Sequence, residues 1–317
     1  MKRWFKIKIA IISDVHGNCV ALKRVLEDAE KSGAEEYVFL GDLVNDFPMG
    51  NETLELVKSK TENVLRGNKE QYLIELEDEG YNWPNVQFKN AIFMYNELTD
   101  ENKKYIRSLP IAKSLEFDGF NILFCHGSPN SVEELLYVDD NEVLERYTKE
   151  LKEDALIFGH THERMWERYI NNKLVINAGC CGVCPYYVGT AEYVLLTIEN
   201  GEMKQVELKR IKYNIDEVKE KIIQSGILEY DRVLMSLTYG AISGKGKMRH
   251  KFLTECRNEM IKRNGKTYLD GAKGIYTYFR LYDDDIWLGI AKDFENEFDF
   301  NWFNSRPVEG IWELTSF

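Results

Sequence analysis

No stretch of the chain approaches the roughly 20 apolar residues a membrane-spanning helix needs. The N-terminal run from Ile7 to Ile12 is short, interrupted by Lys8 and preceded by Met1-Lys2-Arg3-Trp4, which makes a poor signal peptide. Cysteine is scarce, six in 317 residues, and three crowd at Cys180, Cys181 and Cys184. That spacing excludes a disulfide scaffold and leads us to expect reduced thiols and a cytoplasmic chain. Basic residues are outnumbered, 41 against 53 acidic, for a net charge of -12. Such a field repels phosphate backbones, so a general nucleic-acid binder is disfavoured and any phosphate-handling site must import positive charge. Repeats and low-complexity tracts are absent, and 44% hydrophobic residues exclude disorder as the main state.

What is present is an alternation of strand and helix. Short β-branched runs at Ile7 to Ile12, Tyr37 to Leu40, Val64 to Leu65, Ile122 to Cys125, Leu156 to Phe158, Leu174 to Ile176, Tyr193 to Ile198 and Gln205 to Ile211 read as buried strands. Leu22, Val25, Leu26 and Ala29 fall on one helical face before Gly33, and Ser131 with Glu134 reads as a capping box ahead of Leu135 and Leu136. Charged helices near Leu54, Gln71 and Asn102 read as solvated surface. This alternation predicts an α/β (α+β) fold.

Composition changes near Gly240. Residues 241–282 carry ten basic and three acidic groups, and residues 283–317 carry two basic and nine acidic. We expect a main domain over 1–240, a linker over 241–247 and a small α+β appendage over 248–317. In that appendage, a helix near Arg249 to Arg263 would precede a hairpin of Ile275 to Tyr282 and Ile286 to Ala291.

Only five histidines occur, and four directly follow predicted strands: His16 in Asp14-Val-His16-Gly, His126 in Cys-His126-Gly, and His160 and His162 in Gly-His160-Thr-His162. Gly41-Asp42 and Gly67-Asn68 stand at equivalent strand ends. Ligands in open α/β sheets bind beyond the carboxyl ends of strands, so these loops are expected to converge. Together the seven side chains offer only oxygen and imidazole donors, enough for two divalent cations of the Mn, Fe, Zn or Ni type sharing one carboxylate. Such a pair deprotonates a bridging water at neutral pH and clamps the oxygens of a phosphoryl group.

The ordered motifs IISDVHGN, FLGDLVNDFP, VLRGN, LFCHGSP, FGHTH and NAGCCG resemble the calcineurin-like metallophosphoesterase superfamily, in particular its compact bacterial and archaeal phosphodiesterase-like branch, over about residues 7 to 240. The resemblance implies a four-layer αββα sandwich of two mixed sheets. It implies Asp14, His16 and His162 on a first metal, Asn68, His126 and His160 on a second, and Asp42 bridging both, with a metal-bridging hydroxide as nucleophile. Lys69 departs from the family's Gly-Asn-His, where the histidine contacts substrate and assists the leaving group. A lysine, with a reference pKa of about 10.4, suits a phosphate-binding cation better than a general acid. Asn18, after His16-Gly17, is a candidate on the substrate side or behind the metal ligands.

The expected activity is thus metal-dependent hydrolysis of a phosphodiester or phosphomonoester, probed best with small substrates. Self-association is left open. A Ser/Thr phosphatase or dinucleoside-polyphosphate hydrolase ranks second, because Asp46 stands where those branches carry an Arg phosphate clamp. A non-catalytic scaffold on the same fold is the reading from another class.

Overall fold

The computed structural model describes residues 6–78, 89–230, 232–244, 246–265 and 284–297. Two mixed sheets face each other. The first contains β1 (Lys6–Ile12), β2 (Glu36–Phe39), β8 (Thr190–Glu199) and β9 (Glu202–Lys212) in the order β2-β1-β8-β9. The second contains β3 (Ala112–Phe117), β4 (Phe120–Cys125), β5 (Ala155–Phe158), β6 (Trp166–Ile170) and β7 (Lys173–Asn177) in the order β3-β4-β5-β7-β6. Strands β1 and β2 run parallel, as do β4, β5 and β7, while the other neighbours are antiparallel.

Period-two alternation explains the layering. Ile9 and Ile11 point between the sheets with Ile122, Phe124, Ile157, Ile176, Val194 and Leu196. Their neighbours Ala10 and Ile12 face the other way, onto Leu22, Val25 and Leu26 of α1 (Cys19–Lys31). On the far side, Cys125, Leu156, Phe158 and Val175 bury Leu144 of α6 (Asn141–Glu150). The result is the four-layer αββα sandwich implied by the resemblance. The remaining helices before the C-terminal region are α2 (Gly50–Lys60), α3 (Asn68–Asp78), α4 (Lys89–Glu97), α5 (Asp100–Ser108) and α7 (Ile215–Ser225).

Three expectations are corrected. Ser131 starts no helix: its hydroxyl accepts from Glu133 N and its backbone pairs with Ser128, a local turn that competes with helix initiation. The expected linker is largely taken up by helix ends, since α8 (Arg232–Ile242) runs to a buried Ile242 and α9 (Gly246–Asn264) begins four residues on. Ile286 to Ala291 forms no strand but lies in α10 (Asp284–Glu297). Ile286, Trp287 and Ala291 recur at helical spacing and are buried, with Trp287 edge-on to Phe252 of α9 at 4.7 Å between ring centroids. The other expected hairpin strand, Ile275 to Tyr282, lies outside the described residues.

Candidate metal centre

Parallel strands place the site. Asp14 follows β1, Asp42 follows β2, His126 follows β4, and His160 and His162 follow β5, all at carboxyl ends, while Asn68 opens α3. The loops are laced across both sheets: Asp14 N donates to Gly41 O, His16 N to Asp42 O, His160 N to Asp14 Oδ2, and Cys181 N to Ser13 O. Five of the seven expected ligands, Asp14, His16, Asp42, His160 and His162, have φ between 51° and 67°. Left-handed non-glycine residues cost about 1 kcal/mol or more each, so the surrounding contacts hold them there.

The structure brings all seven together in two clusters that share Asp42, one of Asp14, His16, Asp42 and His162 and one containing Asp42, His126 and His160. Asn68 Oδ1 completes the second, 2.9 Å from His126 Nε2. At the same position, contacts to His160 Nδ1 and the two Asp42 oxygens measure 3.0, 3.1 and 3.3 Å. Four acceptor atoms therefore crowd around the Asn68 oxygen, making five in all. A reversed Asn68 amide would offer two protons for four acceptors, whereas one cation serves all five. Bonds of about 2.1 Å at right angles would set neighbouring donor atoms about 3 Å apart, the spacing found here.

The imidazoles are prepared for the same purpose. Each has its outward nitrogen against an oxygen: His126 Nδ1 at 3.0 Å from Leu40 O, His162 Nδ1 at 3.2 Å from Val183 O, His160 Nε2 at 3.2 Å from Glu133 O, and His16 Nδ1 at 2.7 Å from Asp46 Oδ2, off the axis of a well-formed hydrogen bond. An N–H directed outward leaves the inward nitrogen as a lone pair, which is how metal-binding histidines are oriented. In the first cluster His16 Nε2 and His162 Nε2 lie 2.9 Å apart, and fully buried Asp14 Oδ1, which accepts no hydrogen bond, is 3.2 Å from the latter. The residues present fit two divalent cations.

Electrostatics agree. Burial opposes charge on His16, but Asp46, Asp14 and Asp42 override it and raise its pKa to about 9. His126 likewise rises to about 9 against burial, through Asp42 and Asp14. Burial and the neighbouring His126 push His160 down to about 4. Asp14 stays well below the usual carboxylate range despite burial, held there by His126, His16 and His162. The carboxylates thus collect protons where cations would otherwise sit.

Close backbone approach is part of the design. A Cβ on Gly159 would fall 2.1 Å from Ser13 Oγ and 2.6 Å from Asp14 Oδ2. Gly159→Ala is therefore expected to push Asp14 aside, to cost about 1 to 3 kcal/mol as overpacking does, and to lower metal content. Thermal melting with elemental analysis of bound metal checks this; unchanged metal content would mean that the loop yields freely.

Other residues singled out from the sequence fall differently, and the structure adds participants of its own. Asn18 is fully buried, caps α1 through Ala21 N, and donates to Gly182 O and Tyr213 Oη. Its polar atoms are used inside the protein, so it braces the loops behind the ligands. Lys69 is 6% exposed, with Nζ 3.3 Å from Asp46 Oδ2 and its backbone N–H donating to Asp42 Oδ1. Buried Glu70 accepts from four backbone N–H groups, those of Asp42, Leu43, Val44 and Gly67. Neither Glu70 nor the double contact of Asp46 is expected from the sequence; Glu70 sits three residues after Gly67 in a helix whose other charges read as ordinary surface. Cys180 stands beside His16 and His162, but burial and Asp14 hold its thiol far above the usual range and it donates to Val183 O. Cys181 and Cys184 are buried free thiols, as a structural loop requires.

Comparison with known proteins points the same way. Residues 7–201 match the family model described as the calcineurin-like phosphoesterase superfamily domain. An uncharacterised protein of Methanocaldococcus jannaschii is 27% identical over 242 residues, covering 71% of this chain and 96% of that one. A phosphodiesterase of the same organism is 26% identical over 205 residues, covering 64% and 100%. Among solved structures, a metallophosphoesterase from Sphaerobacter thermophilus shares the fold at TM-score 0.59 and 22% identity, covering 74% of this chain and 99% of its own. With its motifs, its two facing sheets and this family match, the chain belongs to the calcineurin-like phosphoesterase superfamily, whose members are metal-dependent hydrolases of phosphoester bonds.

Proposed function

We propose that the chain hydrolyses a small phosphodiester or phosphomonoester at a two-metal site, with Asp14, His16 and His162 on one cation, Asn68, His126 and His160 on the other, and Asp42 on both. The carrying observation is the set of four imidazoles, each with its outward nitrogen against an oxygen acceptor and its inward nitrogen aimed at a carboxylate-bearing cluster. When bound, a cation pair supplies an activated water at neutral pH and stabilises the phosphoryl oxygens. The protein's part is to hold Asp42 between the clusters and to place Lys69 against a non-bridging oxygen. Asp46 supports that role, since its carboxylate faces both His16 and the Lys69 side-chain nitrogen and orients the latter. The diester preference draws on the relative described as a phosphodiesterase. An acid in this position disfavours the Ser/Thr phosphatase reading, which needs a cationic clamp there. The free, buried cysteines support a reducing, cytoplasmic setting.

The test is to strip the protein, reload it with Mn, Fe, Zn or Ni, and compare bis-p-nitrophenyl phosphate with p-nitrophenyl phosphate. Metal-dependent turnover, with diester favoured, is expected. Two bound ions per chain without turnover on either ester would replace this reading with the scaffold. Lys69→Ala should lower kcat/KM by about 10²- to 10³-fold, as loss of one fixed donor at a developing charge does. Undiminished turnover would remove Lys69 from the chemistry.

A further inference from the structure

Two loops run side by side away from the first cluster. His162 Nδ1 touches Val183 O, and a little farther along both chains Arg164 lies over the rings of Tyr186 and Tyr187, at 5.2 and 5.6 Å from their centroids. Arg164 is exposed, and no carboxylate among the described residues pairs with it. That is unexpected in a chain with 53 acidic residues, where a surface guanidinium easily finds a partner.

The platform beneath it is fixed from inside. Buried Glu192 Oε1 accepts from Arg210 Nε at 2.9 Å and from a terminal nitrogen of Arg210 at 2.7 Å, and the Arg210 guanidinium stacks 3.4 Å from the centroid of Tyr187. The two arginines thus share the ring of Tyr187, but only Arg210 has its charge cancelled. Arg164 is steadied by aromatic faces that leave its hydrogen-bonding edges available. Its Cα lies within about 7 Å of that of His162, two residues back. An arginine rooted there has the reach to meet a group that flanks a substrate held at the first cluster.

We propose that Arg164 is a specificity residue that binds a second anionic group of the substrate, a phosphate or carboxylate several ångströms from the phosphoester that is cleaved. This rests on the phosphoesterase reading and narrows it: the favoured substrates carry two anions, and the leaving or flanking portion is recognised by charge. An isolated p-nitrophenyl diester makes no use of this contact.

Non-hydrolysable probes separate the two ideas. Calorimetry on the Mn-loaded protein would compare propylphosphonate with propane-1,3-bisphosphonate, in wild type, Arg164→Gln and Arg164→Lys. In wild type the bisphosphonate should bind about tenfold more tightly, the range of one charge-assisted contact. Arg164→Gln should erase that ratio and Arg164→Lys retain part of it; if the Gln variant does not fold, the Lys variant carries the comparison. Equal affinities in wild type, or an unchanged ratio in the variants, overturn the role of Arg164 while metal-dependent monophosphonate binding still upholds the phosphoester site. Wild type binding neither probe overturns both.

Discussion

Asp42→Asn is expected to reduce diester turnover by a factor on the order of 10³ or more while leaving the fold intact, because removing a single preorganised charge-stabilising group already costs about 10² to 10³. Asp42 belongs to both clusters: Oδ1 lies 3.4 Å from His126 Nε2 and Oδ2 lies 3.8 Å from His16 Nε2. Oδ1 also accepts the Lys69 backbone N–H at 2.8 Å. An asparagine keeps that bond by placing its carbonyl there, and its NH2 must then take the place of Oδ2. A donor would then point into a set of acceptors, and the residue common to both clusters would lose its charge. Metal content should fall below two ions per chain, read by elemental analysis beside the bis-p-nitrophenyl phosphate assay. A variant that keeps both ions and full turnover would show that Asp42 does not bridge, and the proposed mechanism would fail with it.

Much of this centre was legible because the requirement is local. A ligand that follows a buried parallel strand needs only a short β-branched run and then a donor, and Asp14, Asp42, His126 and His160 all stand in that setting. The left-handed backbones of Asp14, Asp42 and His160 were not legible, since nothing in the composition of Asp-Val-His announces a positive φ. Strands β3 and β6 escaped notice for a physical reason: both are edge strands with half-exposed faces, AKSLEF and WERYI, so they lack the continuous apolar run of a buried strand. The hairpin expected at Ile286 to Ala291 failed because a short apolar run does not distinguish strand from helix, and the burial of Ile286, Trp287 and Ala291 decided for the helix. Contacts between distant loops left no trace at all. Asp46 reaches His16 from 30 positions away, and Arg164 reaches Tyr186 and Tyr187 from a separate loop.

Glu70 is the strongest example of such a contact and should give the largest loss of stability. Its Oε2 accepts from Asp42 N at 2.9 Å and Gly67 N at 2.8 Å, and its Oε1 from Leu43 N at 2.7 Å and Val44 N at 3.1 Å. One carboxylate thereby ties the loop after β2 to the turn before α3, the two segments that present Asp42 and Asn68. Burial and nearby Asp42 push its pKa upward, while the N–H groups of Gly67 and Val44 oppose that rise. Glu70→Ala leaves four buried donors without this acceptor, and at about 1 kcal/mol or more each the loss is about 4 kcal/mol, or on the order of 10 °C in Tm. That is a large share of the roughly 5 to 15 kcal/mol holding a domain folded. Glu70→Gln is the sharper probe. Its carbonyl can satisfy one pair of N–H groups, but its NH2 must then face the other pair, donor against donor. We expect Gln to lose at least half as much stability as Ala, with reduced metal content at matched temperature because Asp42 is no longer held in place. Melting the three proteins with and without Mn reads both effects. A Glu70→Gln protein that melts with wild type and binds its full metal complement would mean that side-chain shape, rather than four charge-assisted bonds to one carboxylate, fixes these loops.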